Sequence, residues 1–161
     1  MSSPTHAELL GSHPLLRLLT GEQLNRFARA GELELFRAGE EIVREGTLGD
    51  ALYLILSGSA TVHTGKEGSG RVLATLGPGE FFGEMSLIEP ALRSATVRAA
   101  EMSELFRLPH FSIANMLQDD PVAMNQILVA VVRSLSTRLR RTNALVGSVE
   151  KLADFLAGSL V

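Results

Sequence analysis

Between Leu33 and Leu108 the chain is built from short apolar or alternating runs. In order they read LELF, EIV, ALYLIL, SATVHT, RVLATL, FFGE, SATVRA and SELFRL, and many are separated by Gly39, Gly46, Gly49, Gly58, Gly65, Gly68, Gly70, Gly77 and Gly79. None is long enough for an ordinary helix, and closely spaced short strands with glycine turns point to an antiparallel sandwich or barrel. Lys66 to Gly70, KEGSG, reads as a hairpin loop. Gly39, Gly46, Gly58 and Gly79 read as turn residues without a chemical role.

Helical patterns flank this region. HPLLRLLTGEQLNRFARA, residues 13–30, reads as helix, with Leu16, Leu19, Leu24 and Phe27 able to share faces and with Thr20 and Gln23 spaced as a capping box. After Pro109 the glycines stop until Gly147; His110 to Gln118 reads as a short helix, and Asp119 to Pro121 as the start of a long one running from about Val122 to Leu145. Leu128, Val132, Leu135, Leu139, Thr142, Val146, Val149, Ala153, Leu156 and Leu160 follow one another in alternating steps of four and three, a heptad seam. Its first half can pack on the chain's own barrel. Its second half runs past any core the sequence supplies, so a homodimer seam is expected there. The organisation expected is one domain over 1–145 and a helical extension over 146–161. Within that domain, N-terminal helices occupy about 13–30, a barrel about 33–108, and further helices begin at 110.

The segment GEFFGEMSLIEPALRSATV, Gly79 to Val97, is mostly apolar yet carries Glu84 just after Gly83, and Arg93 nine residues later. A charge in a half-buried segment costs several kcal/mol, on the order of the usual desolvation penalty, unless it is paired. Either the two side chains satisfy each other or a ligand satisfies both. Glycine lets a ligand approach the backbone, amides at the start of a helical turn favour anions, and arginine adds a charge-assisted pair to a phosphate. A carboxylate only accepts hydrogen bonds, so Glu84 suits hydroxyl groups. One anion and one hydroxyl on one loop describe a sugar phosphate or nucleotide; an internal Glu84–Arg93 salt bridge is the plain alternative.

Composition closes off several other functions. Net charge is −3 and pI about 5.8, which gives no basic footprint for non-specific nucleic-acid or anionic-membrane binding. There are no cysteines, so disulfides and thiolate metal sites are excluded. His6, His13, His63 and His110 are not paired at short spacing, so no metal site is expected. No nucleophile–base constellation is recognisable, so no enzyme, catalytic residue or cofactor is expected. The N-terminus lacks a signal peptide pattern and the longest apolar run, Ile127 to Val132, is too short to span a bilayer; a cytoplasmic location without membrane contact is the expectation.

Two blocks together carry a resemblance. FGEMSLIEPALRSATVRA matches the pattern F-G-E-[LM]-[AS]-L, a short variable stretch, then R-[STA]-A-[TS]-V-x-A, while RAGEEIVREG and YLILSGSATV match an earlier signature. The chain thereby resembles the cyclic-nucleotide-binding domain family over roughly Leu15 to Leu145. The resemblance implies an α+β fold, an eight-stranded antiparallel jelly-roll β-barrel with N-terminal helices, a short phosphate-cassette helix and long C-terminal helices. It implies that Arg93 pairs with a cyclic phosphate and that Glu84 accepts the ribose 2′-hydroxyl. Gly83, Met85, Ser86 and Ala95 would complete the cradle, with the amides of Gly83, Met85 and Ala95 as donors. Val62, Leu73 and Ala74 would face the base, and Ser94 would bear on the choice between cAMP, which is expected, and cGMP; a cyclic dinucleotide is a further alternative. Candidate caps over the base are Arg133, Ser134, Thr137, Arg138 and Arg141, which equally read as a solvated basic face. The expected role is a stand-alone sensor that signals through its C-terminal helices to a protein partner. Alternatives are the sensor portion of a catabolite-activator-type regulator, a module of a channel or kinase, or a degenerate interaction domain. The remaining SVEKLADFLAGSLV is neither basic nor long enough for a DNA-reading module, so direct DNA binding is not expected.

Overall fold

The computed structural model describes residues 5–65 and 70–158. Positions 66–69 of the expected hairpin loop and Leu160 of the seam lie outside the described residues. The chain divides into two compact units, Met1–Ile127 and Leu128–Val161.

The first unit opens with a helix that the sequence reading omits, α1 (His6–Gly11). Its signal is Thr5 followed by Glu8, a reciprocal capping box in which the Thr5 amide donates to the Glu8 carboxylate at 2.6 Å and the Glu8 amide to the Thr5 hydroxyl at 3.3 Å. The stretch 13–30 is not one helix. A 3-10 turn, Pro14–Leu16, comes first, and α2 (Gly21–Ala30) starts only after Thr20. The capping box is the reason: Thr20 is extended, φ −68° and ψ 163°, so that its hydroxyl can accept from Gln23, and that conformation separates the two segments.

Among the described residues ten strands follow: β1 (Glu32–Phe36), β2 (Glu41–Val43), β3 (Leu48–Gly49), β4 (Ala51–Ser57), β5 (Ala60–Thr64), β6 (Arg71–Leu76), β7 (Phe81–Phe82), β8 (Ala91–Leu92), β9 (Thr96–Ala99) and β10 (Ser103–Pro109). All pairings are antiparallel. They form two four-stranded sheets, β1-β10-β4-β7 and β2-β9-β5-β6, and the two-stranded pair β3-β8. The jelly-roll class with flanking helices is as expected, but the strands lie in separate sheets and do not close into one barrel. A double-sheet jelly roll keeps its core between two faces and has no need of a closed hydrogen-bond circuit.

Strand alternation explains that core. Ala51, Tyr53 and Ile55 of β4 join Ala60, Leu76, Phe82, Val97 and Leu105 in one buried cluster between the sheets. Leu52 and Leu54, one residue out of phase, are also fully buried, so both faces of β4 are covered. Phe106, likewise out of phase with Leu105, stacks on Phe27 of α2 with ring centroids 5.3 Å apart, so the helix covers the second face. The turns behave as the glycines suggest; Gly58, for instance, has φ +76°, and a Cβ there would lie 2.3 Å from the Ser103 hydroxyl oxygen.

Two helices finish the chain, α3 (His110–Asp119) and α4 (Pro121–Gly158). The Asp120 carboxylate caps the start of α4 by accepting from the Ala123 amide at 3.0 Å. Ala123, Met124 and Ile127 bury the first turns. The second unit is the rest of α4. The helix runs through Gly147, whose missing Cβ would meet nothing, so the glycine weakens the helix by about 1 kcal/mol without ending it. Leu139, Val146, Val149 and Leu156 of the seam are exposed. No helix among the described residues is long and apolar enough to cross a membrane.

Candidate functional site

The glycine–acid–arginine segment is assembled by two short features. After β7 the chain turns through Gly83, which is left-handed with φ 78°, into a 3-10 turn, Glu84–Leu87. The segment then returns as β8, and the Arg93 backbone is pinned at both groups: its amide donates to the Thr47 carbonyl and its carbonyl accepts from the Gly46 amide, both at 2.8 Å. Pairing of β8 with β3 sets Leu92 opposite Leu48 and Ala91 opposite Gly49, which brings β3 beside Arg93.

The Arg93 side chain lies in a slot between two glycines. A Cβ on Gly49 would be 2.5 Å from its Nε, and one on Gly83 would be 2.5 Å from its Nη1. Nη2 donates to the Ala51 carbonyl at 3.0 Å, and the guanidinium carbon lies 5.9 Å from the centre of the Tyr53 ring. Tyr53 in turn stacks on Phe82, with centroids 5.0 Å apart. Among the described residues the buried Nε has no hydrogen-bond partner. Burial pulls the arginine pKa below its ordinary value, an effect that the nearby Tyr53, Asp50 and Glu84 only partly oppose. The internal Glu84–Arg93 ion pair left open by the sequence is not formed among the described residues. A half-buried guanidinium whose Nε is unpartnered and which forms no carboxylate ion pair among the described residues is suited to an incoming anion.

The other candidates fall in different places. Glu84 is half-buried at the start of the 3-10 turn and Met85 is exposed. Among the described residues, the amides of Gly83, Met85 and Ala95 donate to no protein acceptor. Ser94 is exposed and Ala95 half-buried, directly after the arginine. Ser86 is buried, and its hydroxyl donates to the Gly49 carbonyl at 3.3 Å, so it braces the slot from behind. Val62 pairs with Ala74, whereas the next pair is His63 with Val72; Leu73 is the extra residue of a β-bulge. Leu73 and Ala74 are exposed, and Val62 packs partly on the core. Arg133, Ser134, Thr137, Arg138 and Arg141 belong to the second unit. There the Thr137 hydroxyl donates to the Arg133 carbonyl at 3.0 Å and accepts from Arg140 at 3.3 Å.

Sequence reasoning missed Gly49, Ala51 and Tyr53 as neighbours of Arg93. Only the two-residue pairing of β3 and β8 makes Gly49 part of the site, and strands that short leave no periodic signal. Tyr53 reads as an ordinary strand residue; its one clue is its place on the same face of β4 as Ala51. His63 contacts the Thr61 hydroxyl at 2.7 Å on β5, and no group of three or more metal-binding side chains occurs among the described residues.

Comparison with known proteins agrees with this fold. Residues 33–120, more than half of the chain, match the model of the cyclic nucleotide-binding domain. The cyclic AMP receptor protein of Thermus thermophilus is 36% identical over 129 residues, covering 80% of this chain and 56% of that protein. A cGMP-dependent protein kinase of Toxoplasma gondii is 39% identical over 106 residues, 64% of this chain but 10% of the kinase. The chain thus spans about half or less of the length of these relatives. Among solved structures, the N-terminal domain of a transcriptional regulator from Streptomyces coelicolor A3(2) superposes with a TM-score of 0.68 and 32% identity, covering 84% of this chain and 93% of that one. By sequence and by fold, the chain belongs to the cyclic nucleotide-binding domain family.

Proposed function

We propose that this protein senses a cyclic mononucleotide, with cAMP preferred over cGMP, and passes its occupancy through its C-terminal helices to a protein partner. The observation that carries the reading is the buried Nε of Arg93, which has no acceptor among the described residues although Glu84 lies on the same loop. In this reading the arginine holds the cyclic phosphate, and Glu84 accepts a ribose hydroxyl. The amides of Gly83, Met85 and Ala95 are the supporting donors. Val62, Leu73 and Ala74 line the base, with Ser94 at the phosphate end. Arg133, Ser134, Thr137, Arg138 and Arg141 are the candidates for covering the base. In this reading the role is binding without catalysis.

The preference for cAMP draws on the Thermus relative, named for cyclic AMP; the Toxoplasma relative, named for cGMP, favours the second nucleotide. Homodimerisation along the exposed seam of α4 is part of the same proposal. If one helix both meets the ligand and forms the dimer contact, a difference in ligand contact between two helix positions makes the ligand a switch. Isothermal calorimetry with cAMP, cGMP and a cyclic dinucleotide tests the reading. Saturable micromolar binding of cAMP, weaker binding of cGMP and none of the dinucleotide is expected. Tighter binding of cGMP reverses the preference, and heat from the dinucleotide alone, or from none of the three, overturns the proposal.

A further inference from the structure

His110 touches the candidate site without belonging to its ligand-binding set. It is the first residue of α3 and is half-buried. Its ring Nδ1 lies 2.5 Å from the Ser86 carbonyl oxygen, and its backbone amide donates to the Asp50 carbonyl at 2.6 Å. A carbonyl oxygen only accepts, so Nδ1 carries the proton and donates.

Both acceptors lie at the back of the Arg93 slot. Ser86 sits inside the 3-10 turn that begins with Glu84; its amide donates to the Gly83 carbonyl at 3.0 Å and its hydroxyl to the Gly49 carbonyl at 3.3 Å. Asp50 lies between Gly49, whose missing Cβ makes room for the guanidinium, and Ala51, whose carbonyl holds it. One histidine thus ties the start of α3 to the turn carrying Glu84 and to the strand junction seating Arg93. The turn has no side-chain cap of its own at Gly83, so the ring hydrogen bond is its side-chain tether from α3.

We propose that His110 is a positioning residue for this site, and the link by which occupancy of the Glu84–Leu87 turn is felt at α3. The proposal rests on the reading of the site as one for a cyclic nucleotide. A shift of the turn on binding displaces the Ser86 carbonyl, and the hydrogen bond carries that displacement to the first turn of α3. Conversely, loss of the bond lets the turn sample shapes in which Glu84 and the amides do not converge, which weakens binding without removing any ligand contact.

The test compares His110→Leu, which has no donor, with His110→Asn, whose amide nitrogen is bonded to Cγ as Nδ1 is. The readouts are cAMP affinity and nucleotide-dependent hydrogen exchange of the α3 amides. His110→Leu is expected to bind cAMP on the order of tenfold more weakly, about the worth of one part-buried hydrogen bond, and to lose the exchange response of α3. His110→Asn is expected to restore both, which a loss of packing alone would not allow. If His110→Leu does not fold, His110→Gln, which moves the donor one atom outward, takes its place with the same expectation. Binding and exchange response equal to wild type in the donor-displaced protein overturn this inference alone, provided that Arg93→Ala weakens binding strongly. A wild-type protein that binds no cyclic nucleotide overturns the site reading and this inference with it.

Discussion

A guanidinium that is partly buried, hydrogen-bonded to one carbonyl and left with an Nε unpartnered among the described residues is costly to keep, because burial penalises the charge and the nearby Asp50 and Glu84 only partly offset that. Such groups persist where a ligand supplies the missing charge. At this scale the sequence is most legible for Glu84 and Arg93, since charges in an apolar segment demand partners. It is silent on which partner, because whether the two meet is decided by the backbone between them. A second buried group responds to pH. His13 accepts from the Leu15 amide through Nδ1 at 3.3 Å, and its Nε2 donates to the Glu80 carbonyl at 3.2 Å. Burial lowers its pKa below the usual 6.5, outweighing the raising effect of the Glu80 carbonyl. Between the folded and unfolded values the unfolded chain binds more protons, so this stability is complete above about 6.5 and is lost as pH falls toward the folded value. Urea unfolding of wild type and His13→Gln should therefore diverge on acidification, with wild type losing more stability between pH 8 and 5.5. Parallel losses would show that His13 is not the source.

Among the elements, the long or strongly signalled ones are readable and the shortest are not. The Thr20–Gln23 box marks the start of α2, and the unbroken apolar run ALYLIL marks β4. The strands β3 and β8 have two residues each, too few for any period, yet they set Gly49 against Arg93. Their importance is testable by filling the slot. In Gly49→Ala the new methyl collides with the arginine side chain at 2.5–2.8 Å, and the side chain is free to shift away. The variant should fold with little loss of stability and bind cAMP at least about tenfold more weakly. Gly83→Ala adds a left-handed backbone and a 2.5 Å approach to the Ala51 carbonyl. It should cost roughly 1–3 kcal/mol of stability as well as affinity, measured by thermal denaturation and calorimetry. Wild-type affinity in Gly49→Ala would remove the slot from the site.

For the whole molecule, the heptad seam of α4 is legible as a spacing, and Leu139, Val146, Val149 and Leu156 along it are exposed. Val149→Glu puts a charge into that seam and should shift the protein toward monomer in multi-angle light scattering. A wild-type protein that is already monomeric would remove the dimer. The long helix expected over about Val122 to Leu145 and the helical extension expected over 146–161 are one continuous helix, because one glycine in a 38-residue helix costs too little to end it. The claim on which the rest depends is that Arg93 is held ready for a phosphate. Calorimetric titration of cAMP into wild type and Arg93→Ala, side by side, tests it most directly. The expected result is a loss of roughly 3–5 kcal/mol, which moves a micromolar affinity toward millimolar, with the unliganded variant still folded. An Arg93→Ala protein that binds cAMP as tightly as wild type would contradict it.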